Sequence, residues 1–185
     1  MINKPKDWEQ VEESEVVEGL RLVPGVYPVQ IKNVIDHPEK EYLEIQFDIV
    51  KDKTYTDWFK KQEENFGVWP SAGIYRASYK ETATKFFKAF ITAVQKSNQG
   101  YVWNWNEQSL KGKYFVAAMG EEEYEDDEGN IKTSVKIREP RSIEAWQKGD
   151  VKVPELKKLK AKKETTNNYD PFSAINQISE ADLPF

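Results

Sequence analysis

Cysteine is absent from this chain, and histidine occurs once. The first absence excludes a disulfide-stapled scaffold, a cysteine-ligated zinc site and a thiol nucleophile, and it fits a reducing cytosol. The lone histidine, His37, lies in the turn sequence "DHPEK" and is expected to be exposed and chemically idle. No Ser/His/Asp set forms around it, and neither a Walker A motif nor a GxGxxG sequence is present. No apolar run approaches membrane-spanning length, and the opening "MINKPKDWEQ" does not read as a signal peptide.

What is present is polar and ring-rich. Of 185 residues, 38% are hydrophobic, 32% charged and 13% aromatic, which suits one domain with extensions. Lys and Arg number 27 against 32 Asp and Glu, so the net charge is −5. The acidity is local. "EEEYEDDE" at 121–128 holds seven acids, and 164–185 holds four more with no Lys or Arg. Without those eleven acids the net charge of −5 becomes +6, so the rest of the chain is mildly basic.

Four segments follow from pattern. Residues 1–23 are an acidic lead-in. Residues 24–150 form the domain. Residues 151–163 are lysine-rich, with Lys152, Lys157, Lys158, Lys160, Lys162 and Lys163 against one acid, Glu155. Those lysines are expected to extend a phosphate-binding surface. Residues 164–185 are a low-complexity tail expected to be disordered.

Within the domain, Tyr27, Val29 and Ile31 alternate with polar residues as in a half-buried strand. Leu43, Ile45, Phe47 and Ile49 do the same, with Tyr42, Glu44, Gln46 and Asp48 on the other face. "YTDWFKK" at 55–61 is expected to be a third strand, and 62–78 an irregular stretch. Phe86, Phe87, Phe90, Ile91 and Val94 then fall at helical spacing over 82–96. Lys113 to Met119 reads as a buried strand, the acidic run as a solvated hairpin loop, and "IKTSVKIR" as the returning strand. Phe47, Phe59, Phe86, Phe87, Phe90 and Phe115 are assigned to the core. Three strands, a helix and a two-strand hairpin is the layout of a mainly β, five-stranded oligonucleotide/oligosaccharide-binding (OB) barrel with its helix between strands three and four. A different small α+β barrel or sandwich is the competing arrangement.

Unstacked bases need flat apolar faces, and phosphates need cations. Tyr55, Trp58, Lys60 and Lys61 supply both near the expected third strand, followed by Trp69, Tyr75 and Arg76. Tyr101, Trp103 and Trp105 recur at period two, with Lys111 and Lys113 close by. Lys132, Lys136 and Arg138 form the polar face of the last strand. Read singly, each ring could equally cap a barrel. As a set among polar residues, they point to single-stranded nucleic acid. Two rivals stand beside this reading. One is an inhibitor or adaptor whose acidic segments imitate nucleic acid. The other is a metal-dependent nuclease built on Asp48 and Glu44, although no further ligands appear at suggestive spacing. The run at 121–128 lacks the alternate spacing and glycine of a calcium loop.

The chain ends on Asp182, Leu183, Pro184 and Phe185, and "YDPF" at 169–172 echoes that ending. An aromatic ring among acids suits an apolar pocket with a basic rim on a partner. With the strand order, this tip resembles bacterial and bacteriophage single-stranded DNA-binding proteins, which join an OB domain to an acidic tip ending in Asp-Ile-Pro-Phe or a close variant. The resemblance implies a non-enzymatic protein, without cofactor or metal, that coats single-stranded DNA in replication, recombination and repair. It implies recruitment of replication and recombination proteins through Asp182, Leu183, Pro184 and Phe185, and action in a bacterial host cytoplasm, with a homo-oligomer left open. The long acidic hairpin and the Trp103/Trp105 segment depart from the main bacterial family and point to a divergent phage-type member.

Overall fold

The computed structural model describes residues 21–159. The expectations for 1–20 and for 160–185, including the tip Asp182, Leu183, Pro184 and Phe185, lie outside the described residues.

Strand β1, Gly25–His37, begins with Tyr27, Val29 and Ile31 buried and ends with Val34 buried. The change of parity has a cause. Ile31 faces Phe47 of strand β2, Tyr42–Ile49, while Asn33 faces Gln46, so Lys32 is an extra residue without a β2 partner. A bulge of this kind restores the inward face after a kink. On β2 the expected alternation holds, and Leu43, Ile45, Phe47 and Ile49 are all buried.

The third strand is not where the pattern put it. Residues 55–57 are a turn, and Trp58–Phe66 is helix α1. Asp52 Oδ1 accepts from the backbone N–H of Thr54 (2.8 Å) and Tyr55 (2.9 Å), which bends the chain out of extension. "KKQEEN" then favours helix, and Gly67 ends it at φ 74° with its N–H on the Glu63 carbonyl. The strand role passes to β3, Ile74–Ser78, inside the stretch read as irregular; it pairs antiparallel with β2.

Helix α2, Thr84–Ser97, buries Phe87, Phe90, Ile91, Ala93 and Val94. Phe86 was expected in the core and is instead 61% exposed. Successive helical residues are turned about 100° apart, so Phe86 falls outside the arc that Phe87, Phe90 and Val94 share.

Strand β4, Tyr114–Glu125, and strand β5, Ile131–Arg141, complete a sheet of order β3-β2-β1-β4-β5, with every pairing antiparallel. The sheet is mainly responsible for the fold and is not closed. Its order is compatible with an OB-like fold, with α2 packed against β3, β4 and β5. Edge-on ring pairs knit the core: Phe47–Phe59 at 5.6 Å, Phe47–Phe115 at 5.7 Å and Phe90–Phe115 at 5.7 Å. A short helix α3, Ile143–Gln147, follows β5, its N-terminus capped by the Ser142 hydroxyl. No helix among the described residues is long and apolar enough to cross a membrane.

The acidic run is a second correction. Glu121 to Glu125 belong to β4, and only the stretch from Asp126 to Asn130 turns. Pairing with a cation-bearing strand makes this tolerable: Tyr124 faces Lys132, and Lys132 Nζ reaches Asp126 Oδ2 at 2.6 Å. Beyond α3, residues 151–159 run back as a strap. Lys157 donates its N–H to the Glu121 carbonyl and accepts from Glu123 N, both at 2.9 Å, and its ammonium pairs with Glu122. The hydrogen bond from Lys157 is the chief cause holding the Glu122 carboxyl below its ordinary range, with Lys136 and Arg138 adding to it.

Gly120 lies under this strap. A Cβ there would come 2.9 Å from Pro154 Cβ and 3.1 Å from the Pro154 carbonyl oxygen. Gly120→Ala is therefore expected to push the strap outward and to cost about 1–3 kcal/mol, several degrees of melting temperature. Hydrogen exchange at Lys157 and Glu123 should quicken with it. Unchanged melting and unchanged protection would mean that the strap is not packed there.

Candidate nucleic-acid interface

The residues expected to form one groove are divided by the fold. Tyr55, Trp58 and Trp69 gather around Phe59. Tyr55 meets Trp58 edge-on at 5.3 Å, and Trp69 lies 6.5 Å from Phe59 with its indole N–H on the Gly73 carbonyl at 3.0 Å. All three are half-buried against the core. Lys60 and Lys61 are exposed on α1, but Lys60 lies 3.7 Å from Glu64 and Lys61 donates to the Thr56 carbonyl. Tyr75 points inward onto Phe90 at 5.2 Å, and burial pushes its hydroxyl pKa up. This end of the molecule uses its rings mainly for packing.

A second aromatic series lies towards the other end of β2. Tyr79 donates to Asp36 Oδ1 at 2.9 Å and meets Phe87 at 6.1 Å. Phe87 meets Trp103 at 6.4 Å, and Trp103 meets Trp105 at 6.2 Å. Tyr42 to Ile49 spans seven steps, roughly 23 Å, so the two ring clusters lie towards opposite ends of β2. Trp103 is half-buried and its backbone N–H is held by Gln95 Oε1 at 2.9 Å. Trp105 is 80% exposed and sits at φ 65°, a left-handed conformation that a bulky residue adopts at an energetic cost. An indole held open to water in a strained backbone is what a stacking site needs and a core does not.

The segment carrying these indoles runs beside β1. Gln108 Nε2 donates to the Val34 carbonyl at 3.3 Å, Gly112 N–H to the Ile31 carbonyl at 2.8 Å, and Ile31 N–H to the Lys113 carbonyl at 2.9 Å. It follows that Lys111 and Lys113 border β1 at its bulge, where Lys32 is exposed. Lys113 Nζ lies 4.8 Å from the Tyr101 ring centre, and the Tyr101 hydroxyl is hydrogen-bonded to Ser109 Oγ. Asn98 fixes the start of β4, bonding both the N–H and the carbonyl of Tyr114. Tyr114 remains partly exposed, with its hydroxyl accepting from Gln30 Nε2 at 3.0 Å.

On the outer face of the sheet, three residues stack. Arg76, exposed on β3, places its guanidinium carbon 5.9 Å from the Tyr42 ring centre. Tyr42 stacks on His37 at 4.6 Å with 22° between planes. His37 therefore ends β1 half-buried in a stack, where an exposed turn was expected. Neither Tyr42 nor His37 was singled out by pattern, although Tyr42 did fall on the polar face of β2. Their meeting with Arg76 depends on the register Tyr42↔Ser78 and Glu44↔Arg76.

The chain matches no known protein-family model and no curated protein.

The cations of β5 are elsewhere. Lys132 is paired with Asp126, while Lys136 and Arg138 act on Glu122 beneath the strap. Strand β5 lies three strands from β2, roughly 14 Å across the sheet, so these three stand apart from the Arg76–Tyr42–His37 stack. Lys157 is likewise consumed by Glu122. The carboxylate pair imagined for a nuclease also dissolves. Asp48 is buried, its Oδ1 accepting from Ile49 and Phe59 N–H at 2.9 and 3.0 Å and its Oδ2 from Lys60 N–H at 3.1 Å. Those lone pairs cap α1 rather than await a metal. Among the described residues no group of three His, Asp or Glu could hold a metal ion. What remains together is one outer surface: the Arg76–Tyr42–His37 stack, Tyr114, the bulge with Lys32, and the bordering segment with Lys111, Lys113 and Trp105.

Proposed function

We propose that this protein binds single-stranded DNA on the outer face of an OB-like sheet, with the strand tracking β1–β3 and the segment 101–113. Trp105 carries the reading: an indole open to solvent, strained in its backbone, on the segment that also bears Lys111 and Lys113. Bases stack on Trp105 and on the Tyr42–Arg76 stack, and phosphates meet Lys32, Lys111 and Lys113. Such binding tolerates any base sequence, because every base has a flat face. No bond is made or broken, and the mechanism calls for no cofactor. Asp126 is paired with Lys132, and Glu122 with Lys157 aided by Lys136 and Arg138, which weakens the case for a nucleic-acid mimic. The tip Asp182–Phe185 extends the proposal to recruitment of replication or recombination proteins.

The test is a titration of intrinsic tryptophan fluorescence with oligo(dT) and with duplex DNA at several salt concentrations. Quenching by the single strand, affinity that falls with salt and weaker duplex binding are expected. An unchanged spectrum at saturating oligo(dT) sinks the stacking reading. Removing Asp182–Phe185 should leave this binding in place and abolish capture of a replication or recombination protein. Retained capture takes the tip out of the proposal.

A further inference from the structure

Helix α2 carries a second cationic surface, away from the outer face of β1–β3. Lys85, Lys88 and Lys96 line one wall of a trough of about 440 Å³, with Ala89 and Ala93 below them and Arg141 on the far wall. No acid lines it. Two acids lie beside it. Glu139, 3.3 Å from Arg141, takes part of that cation's charge, and Glu144 is held at 2.5 Å by Lys148. This leaves Lys85 and Lys88 as the trough's least opposed cations. Eleven residues separate Lys85 from Lys96, so the lysine row runs roughly 16 Å along the helix. Small side chains in the floor leave room for a chain lying lengthwise between the walls.

Phe86 is the second observation. On a helix that buries Phe87 and Phe90, it stands 61% exposed, and no contact with the core explains it. The ammonium of Lys85 lies 4.9 Å from its ring centre, so the residue that opens the trough also touches the free ring. A flat apolar face joined to a row of cations is what an unstacked base and its phosphates require. An acidic peptide would use the cations and leave the ring without a role.

We infer that the trough of Lys85, Lys88, Lys96 and Arg141, with Phe86 beside Lys85 at its edge, is a second contact for single-stranded nucleic acid, taking the phosphate backbone of a strand that has already crossed the sheet. This rests on the proposed function of the sheet face. The two surfaces are distinct, since α2 packs against β3, β4 and β5 while the first contact lies on the outer side of β1–β3. A short strand fills the sheet alone, whereas a long one reaches both.

The experiment compares wild type, K85Q/K88Q/K96Q and F86A on short and on long oligo(dT). All four side chains are exposed, so melting temperatures should be unchanged. For long strands the triple variant should lower the magnitude of the slope of log affinity against log salt by about 2. F86A should weaken long-strand binding by about fivefold or more. Neither change should affect short strands. If wild type binds and both variants match it on long strands, the trough is not a nucleic-acid contact and the sheet reading stands. An unchanged slope on oligo(dT) with a lost slope on poly-glutamate would assign the trough to acidic protein and overturn the inference. If wild type binds neither strand, the function proposed for the sheet falls, and this inference with it.

Discussion

Asp48→Ala is expected to lower the melting temperature by about 6–12 °C, from a loss of about 3 kcal/mol. The reason is positional. Its carboxylate is buried and accepts three backbone N–H groups, from Ile49, Phe59 and Lys60. Alanine leaves those donors without partners and releases the first turn of α1. The pH dependence has a definite sign. Burial is the chief cause pushing the Asp48 carboxyl above the ordinary aspartate value, against the three hydrogen bonds that pull it down. Between the ordinary and the raised value, the folded chain holds a proton that the unfolded chain has lost. The contribution of Asp48 is therefore greatest below that window and declines as pH rises through it. Chemical denaturation of wild type and D48A across the acid range would measure this as a narrowing stability difference with rising pH. A melting temperature within a degree of wild type would mean that the cap contributes nothing.

Trp105→Ala is expected to weaken oligo(dT) binding by about 1–3 kcal/mol, roughly five- to hundredfold, with the fold intact. The ring is 80% exposed, so its removal takes little from the core. Trp105→Gly separates ring from backbone. Glycine accepts φ 65° without penalty, so that variant should melt no lower than wild type, yet bind as poorly as the alanine variant. Trp58→Ala should do the reverse, lowering the melting temperature because Trp58 packs on Tyr55 and the core. Wild-type affinity in both Trp105 variants would remove this indole from the interface.

Residues 160–185, with Phe185, lie outside the described part of the chain. The strap does bear on the lysine-rich segment before it. Lys157 is paired with Glu122, and Leu159 N–H donates to Glu123 Oε2 at 2.9 Å. Lys157 of that segment thus meets the acidic strand and its charge is paired within the chain, while Lys152 and Lys158 are exposed.

Alternation and helical spacing were sufficient by themselves for β1, β2, α2, β5 and the first half of β4, because burial of one face imposes a period of 2 or 3.6 on any sequence that folds so. The mildly basic character outside two acidic stretches was legible because net charge does not depend on the fold, whereas ring count left open which indole would stand exposed, as Trp105 does. Other features depended on partners distant in sequence. Tyr55 to Lys61 has alternation enough for a strand, but Asp52 bends it and Asp48, on a strand already formed, caps the helix that replaces it. The Arg76–Tyr42–His37 stack exists only because β3 pairs with β2 in one register and β1 with β2 in another. The acidic run is held by Lys132, 6 positions from Asp126, and by Lys157, 35 positions from Glu122. Local pattern decides which face of an element is apolar. Which polar side chains come together on the outside is decided by register and chain reversal, and no local period encodes either.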